Sequence, residues 1–206
     1  MKRHGIAPAP KRGQITTRKS FLASHMDVIA GCDFFTVEVL TWRGLVTFYV
    51  LFFIHLESRR VSIAGMTRHP NEEWRQQVAR NMTMDGRGVG YRYVLHDRGA
   101  KFCGSFRATL RLGGVLPIVL PPMSPNLNAF AQRWVRSIKD ECLSRLILLG
   151  SESMWRVLRE YAAHYHVERN HQGKGNVLLF PQTYRNGQIL CSRRLGELLK
   201  FYQRAA

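Results

Sequence analysis

The sequence predicts an α/β fold: a five-stranded mixed sheet, three antiparallel strands then parallel ones, flanked by helices. Three observations carry this. Three runs rich in β-formers lie between residues 33 and 66, joined by turns too short for anything but antiparallel pairing. After Pro70 the apolar period changes from two to about four, the period of a helix. From residue 91 onward, short strand-like runs alternate with helical ones, the pattern of parallel strands joined by crossovers.

The elements follow in order. Asp33 to Leu40 is a strand of Phe, Val and Thr, and Trp42-Arg43-Gly44 turns the chain. Leu45 to His55 is almost continuously apolar, as expected of a strand covered on both faces. Glu57-Ser58-Arg59 turns into a third strand, Arg60 to Met66. Residues 71–84 carry Trp74, Val78 and Met82 four apart, with Glu72 and Glu73 in the first turn, which predicts a helix. A glycine-rich loop from Asp85 to Gly90 leads to a fourth strand, Tyr91 to His96, ending at Asp97. A short helix, Gly104 to Leu112, is closed by Gly113-Gly114. Val115 to Leu120 is a fifth strand, placed at an edge or bulge by Pro117, which has no N–H for a ladder. Ser124-Pro125 reads as an N-cap with proline at the first helical position. The helix it opens runs to about Leu148, with Phe130, Trp134 and Ile138 as its apolar stripe. Ser151 caps a further helix bearing Met154, Leu158, Tyr161 and Tyr165. Past Gly173 the chain reads as irregular and basic, with a final helix over 195–204.

Residues 1–20 are a basic, acid-free lead-in, compatible equally with phosphate contact and with a solvated tail. Residues 21–180 form the core domain, and 181–206 a basic C-terminal extension. The 206 residues carry 31 basic and 14 acidic side chains, a net charge of +17, and most of the basic ones are arginine. Such an excess repels itself in a compact chain and suits a polyanionic partner, although arginine-rich composition also arises without function. The four cysteines lack metal-ligand spacing and read as free thiols in a reducing compartment. The longest apolar stretch, Leu45 to Ile54, is too short to span a bilayer, so no membrane partner is expected.

Two acids at strand ends define the candidate site. Asp33 on the first strand and Asp97 after the fourth can meet where those strands lie parallel. Two hard oxygen ligands suit Mg²⁺ or Mn²⁺, and such ions promote phosphodiester chemistry. Either acid alone would more often be a turn or cap carboxylate. Asp27 is the competing first acid. His96 reads as a packed histidine rather than a base.

The order of three antiparallel strands, helix, strand, helix, strand, helix is similar to that of ribonuclease H-like proteins. Within it, Asp33-Phe34-Phe35, the run Leu95-His96-Asp97-Arg98-Gly99-Ala100-Lys101-Phe102, and Ser124-Pro125-Asn126-Leu127-Asn128-Ala129 resemble blocks of the integrase catalytic core of insertion-sequence transposases and retroviral integrases. Tyr165-His166-Val167-Glu168-Arg169-Asn170-His171 resembles the Tyr-x-x-x-Arg-x-His block downstream of that core. The resemblance spans roughly residues 20–180. It implies a metal-dependent Asp-Asp-Glu polynucleotidyl transferase acting in DNA integration, recombination and transposition, with a two-metal site of Mg²⁺ or Mn²⁺. It also implies DNA as partner, a homo-oligomer on that DNA, and a bacterial cytoplasmic, nucleoid-associated location.

The matched catalytic positions are Asp33, Asp97 and Gln132, the last 35 residues after Asp97, where the family carries Glu. An amide is a weaker ligand and cannot act as a base, so strand transfer is expected to be severely impaired. Asp33 and Asp97 remain the implied metal ligands. No neighbour offers a rescue: Glu141 is about half a turn out of phase with Gln132 and Asp140 is two turns distant. Glu38 faces the other side of the strand from Asp33. Lys139 resembles a DNA-contacting basic position of the family, and Arg136 and Arg133 share its polar side of the helix. The end-binding helix-turn-helix domains usual in such transposases are not recognisable, which suggests a truncated or decaying mobile-element product. A non-catalytic DNA-binding or assembly module and a different ribonuclease H-like nuclease are the alternatives.

Overall fold

The computed structural model describes residues 18–84, 90–99, 101–121, 128–181 and 187–204. Its first elements are a short helix, α1 (Arg18–Ser24), and a 3₁₀ turn, Met26–Val28, leading into β1 (Ile29–Thr41). A long hairpin joins β1 to β2 (Gly44–His55), with Thr41 paired to Gly44 across the turn at Trp42-Arg43. The Thr41 hydroxyl donates to the Gly44 carbonyl at 2.9 Å and accepts from the Arg43 N–H, closing that turn. β3 (Val61–Thr67) continues the antiparallel meander, and α2 (Glu72–Met84) follows. Next come β4 (Tyr93–His96), α3 (Gly104–Leu112), β5 (Leu116–Val119), α4 (Ala129–Glu141) and α5 (Gly150–Val167).

The sheet order is β3-β2-β1-β4-β5, with β4 parallel to β1 and β5 parallel to β4. Residues Val50 to Ile54 of β2 are wholly buried, as a strand between two helical layers must be. β5 is an edge strand, where Pro117 costs the ladder nothing on its open side.

Alternation along β1 divides the core in two. Ala30 and Cys32 face Val78 and Met82 of α2 and Phe106 and Leu110 of α3. Phe35, Val37 and Val39 face α4 and α5, where Trp134 stacks edge-on to Phe35 at 5.5 Å and lies 4.4 Å from Phe52. A side chain at Gly65 would meet the Trp74 ring at 3.0 Å, so glycine lets α2 close on β3.

Several boundaries differ from expectation. β1 begins at Ile29, so Asp33 sits inside the strand rather than at its start. α4 ends at Glu141, and Leu143–Arg145 form a separate 3₁₀ turn. The expected cap at Ser124-Pro125 lies outside the described residues. The expected helix over 195–204 is instead a hairpin of β6 (Ile189–Arg194) and β7 (Leu199–Arg204). Leu195, Gly196 and Glu197 all adopt positive φ, which reverses the chain, and the Phe201-Tyr202 pair suits a strand better than a helix. The hairpin packs on α5 through buried Leu199 and through Arg194, which binds Glu168 at 2.8 Å and Glu160 at 2.6 Å.

Candidate active site and the basic face of α4

Parallel pairing of β1 and β4 aligns Gly31 with Leu95. Asp33 and Asp97 each lie two residues further, so the register carries both acids to one level beyond the end of β4. The crevice outside the carboxyl ends of parallel strands is where α/β sheets bind ligands. Asp33 shares the strand face of Gly31 and Phe35, the face that α4 covers.

Two groups hold Asp33. Its Oδ1 accepts the Phe34 N–H at 2.8 Å, and its Oδ2 accepts from the Asn128 amide at 3.3 Å. A Cβ at Gly31 would lie 2.9 Å from the Asn128 Oδ1, so glycine there makes room for that amide. Burial pushes the Asp33 carboxyl up to about 6, against the pull of the Phe34 N–H; the charge of Asp97 adds to the rise and Lys101 opposes it. Lys101 lies 5.4 Å from the centre of the Phe34 ring, on the loop after β4.

Asp97 is exposed and accepts the Gly99 N–H at 2.9 Å, a turn that fixes the carboxylate at the strand end. His96 is buried, donates from Nδ1 to the Asp97 carbonyl at 2.6 Å and packs 4.8 Å from Phe102. Burial lowers its basicity, and the geometry is that of a packed histidine.

The two acids are hard, like-charged and coupled, and a divalent cation that keeps most of its water fits such a pair. Among the described residues, no group of three or more His, Cys, Asp or Glu could hold a metal ion. Gln132 lies exposed on α4, one turn beyond Asn128.

Other acids are engaged elsewhere. Asp27 precedes β1, six residues and about 20 Å from Asp33 along an extended strand. Glu38 is exposed and accepts from the Thr47 hydroxyl at 2.7 Å. Glu141 accepts three hydrogen bonds from Arg169, at 2.5, 2.9 and 3.0 Å, and one from the Tyr161 hydroxyl at 2.9 Å. Burial alone would raise the Glu141 carboxyl, but these bonds hold it below its ordinary range. The Tyr-x-x-x-Arg-x-His block is therefore a clasp. Arg169 ties α5 to α4, and the His171 Nε2 donates to the Tyr165 carbonyl at 2.7 Å.

Gln132, Arg136 and Lys139 form one exposed stripe of α4, while Arg133 lies about 100° round the helix. Sequence reading did not single out Asn128, Lys101 or Arg59 as site residues. Asn128 had a signal, since it lies within the Ser-Pro-Asn-x-Asn-Ala block. Lys101 likewise lies within the Leu95 to Phe102 run, whereas nothing in the sequence brings Arg59 to α4.

The architecture is ribonuclease H-like: an α/β protein whose mixed sheet runs from three antiparallel to two parallel strands between helical layers. A solved structure with this likeness is the simian T-cell lymphotropic virus intasome in complex with the PP2A regulatory subunit B56 gamma. The TM-score is 0.50 at 12% identity, over 68% of this chain and 48% of that one. The present chain thus spans about half the length of the chain it matches, and the likeness concerns fold. No protein-family model and no curated protein matches the sequence.

Proposed function

We propose that this chain is a nucleic-acid-binding catalytic core of the integrase and transposase kind, its strand-transfer chemistry impaired at Gln132. The observation that carries the reading is the convergence of Asp33 and Asp97 at one level of adjacent parallel strands, on the sheet face covered by the helix that carries Gln132. Asp33 and Asp97 would hold Mg²⁺ or Mn²⁺, which would polarise a phosphodiester and acidify bound water. Asn128 orients Asp33, and Lys101 offsets part of the charge of the pair. Arg133, Arg136 and Lys139 would contact the DNA backbone along α4. Gln132 has no basic oxygen and takes no proton at neutral pH.

The test is a nicking and strand-transfer assay with Mn²⁺ on the wild type, Gln132→Glu and Asp33→Asn. An inactive wild type with an active Gln132→Glu supports the reading. Equal activity in the two overturns the role given to Gln132, and full activity in Asp33→Asn overturns the site. A second reading, a non-catalytic DNA-binding module, is favoured by the neutral residue itself together with the net charge of +17. Tight DNA binding with no activity in Gln132→Glu would select it.

A further inference from the structure

A second cationic feature lies where the β2–β3 turn meets α4 and has no place in the chemistry assigned to the acid pair. The β2–β3 turn, α4 and the loop after α5 enclose a cleft of ≈ 630 Å³ lined by Arg59, Arg133, Arg136, Arg169 and Lys174, with no acidic side chain among the described residues that line it. Arg169 is neutralised by Glu141 behind it, which leaves four cations without a carboxylate partner in the cleft.

Arg59 is the most unusual of these. It sits at φ 62° in the turn, and its guanidinium lies over the Phe130 ring, 3.0 Å from the centroid. Its Nη1 is buried and has no hydrogen-bond partner among the described residues. Burial lowers its pKa to about 10, with Arg133 adding to the effect and Tyr165 opposing it, so the group is charged at neutral pH in a place that disfavours charge. A guanidinium held charged in a place that disfavours charge is costly, and an anion in the cleft that Arg59 lines would offset that charge.

The opposite wall is equally well built. Backbone bonds from Lys174 and Asn176 to the His171 carbonyl, and from His171 to the Val177 carbonyl, fix the loop. A Cβ at Gly173 would lie 3.8 Å from the Arg133 Nη1, so that arginine reaches across α4 to the loop. Arg136 belongs both to the cleft and to the Gln132 stripe, about 6 Å along the helix from Gln132.

We propose that this cleft is a binding site for one phosphate group, with Arg59 at its floor and Arg133, Arg136 and Lys174 as its walls. Resting on the nucleic-acid reading above, the occupant is a backbone phosphodiester whose strand continues over α4 toward Asp33 and Asp97. The cleft is roomier than a bare phosphate needs, which suits a phosphate that brings its sugar.

The test uses the full chain with two probes, inorganic phosphate followed by thermal melting and a single-stranded oligonucleotide followed by fluorescence anisotropy. Arg59→Gln and Lys174→Gln should each weaken oligonucleotide binding about tenfold. Arg111→Gln, which removes an exposed charge from α3, should weaken it less than about twofold. Phosphate should raise the melting temperature of the wild type and not that of Arg59→Gln or Lys174→Gln. Lys174 is exposed in its loop, so its variant tests the site even if Arg59→Gln folds poorly. If the wild type binds the oligonucleotide and the cleft variants behave like Arg111→Gln with both probes, the cleft assignment is overturned while the nucleic-acid reading stands. If phosphate stabilises the wild type through Arg59 but no oligonucleotide binds, the phosphate site stands, its source is a free phosphate compound, and the nucleic-acid reading falls.

Discussion

Asp33 is a carboxylate kept at a cost. Its pKa of about 6 exceeds the ordinary 3.8, so the folded chain holds this proton more tightly than the unfolded chain does. The associated stability is fully present below about 3.8 and is lost as pH rises through about 6. Asp33→Asn should therefore stabilise the protein at pH 8, by about 1–3 kcal/mol, and make no difference below pH 4. Melting curves at the two pH values check this. Millimolar Mg²⁺ should raise the melting temperature of the wild type at pH 8 and leave Asp33→Asn unchanged, because a cation is worth most where two carboxylates repel. At Gln132 the expected change is in rate: Gln132→Glu should raise Mn²⁺-dependent strand transfer by about 10²-fold or more, measured in single-turnover reactions.

At the level of elements, the two faces of the sheet are held by different means. α2 and α3 dock through an apolar cluster, and α4 and α5 add charged and polar ties to theirs. Arg169→Ala should cost about 2 kcal/mol in urea unfolding, since it leaves Glu141 half-buried without its cation. Adding Glu141→Gln should recover part of that loss, the sign of direct coupling. The second tie is His166, whose Nε2 accepts the Val61 N–H at 2.9 Å and so joins α5 to β3. Burial lowers its pKa from 6.5 to about 4, with Arg60 and His171 adding to the effect. The unfolded chain takes up this proton first, so stability falls as pH drops from 6.5 towards 4. Asp33 works in the opposite direction over nearly the same range, and urea titrations of Asp33→Asn and His166→Gln separate the two contributions. In His166→Gln the acid-side loss should be smaller than in the wild type.

Across the whole molecule the dominant quantity is charge. A net +17 on 206 residues, with a basic stripe on α4 and a basic cleft beside it, should give DNA binding largely indifferent to sequence. The observed association constant should fall steeply with salt, with a log–log slope equivalent to several released counterions. A flat salt dependence in filter binding would remove electrostatics as the basis of the partner assignment. No helix among the described residues is long and apolar enough to cross a membrane.

Local pattern was enough to read the sheet. Alternation and turn residues marked β1 to β3, the change of period marked α2, and the Gly113-Gly114 stop bounded α3 to the residue. The likeness of their order to the ribonuclease H-like fold implied that the strand of Asp33 runs beside the one that Asp97 follows, and periodicity placed Gln132 on a helix. They failed at the C-terminal hairpin, where three consecutive positive-φ residues are legible only as a folded turn. What the sequence by itself determined is therefore the set of elements, their order, and the neutral residue on α4, because periodicity and turn chemistry act over a few residues. Only the tertiary structure decided that Asn128 holds Asp33 across 95 positions, that His166 meets Val61 across 105, and that Arg59 lies under α4 facing Lys174. Those contacts are made by the closing of distant segments on one sheet, and burial sets their electrostatics.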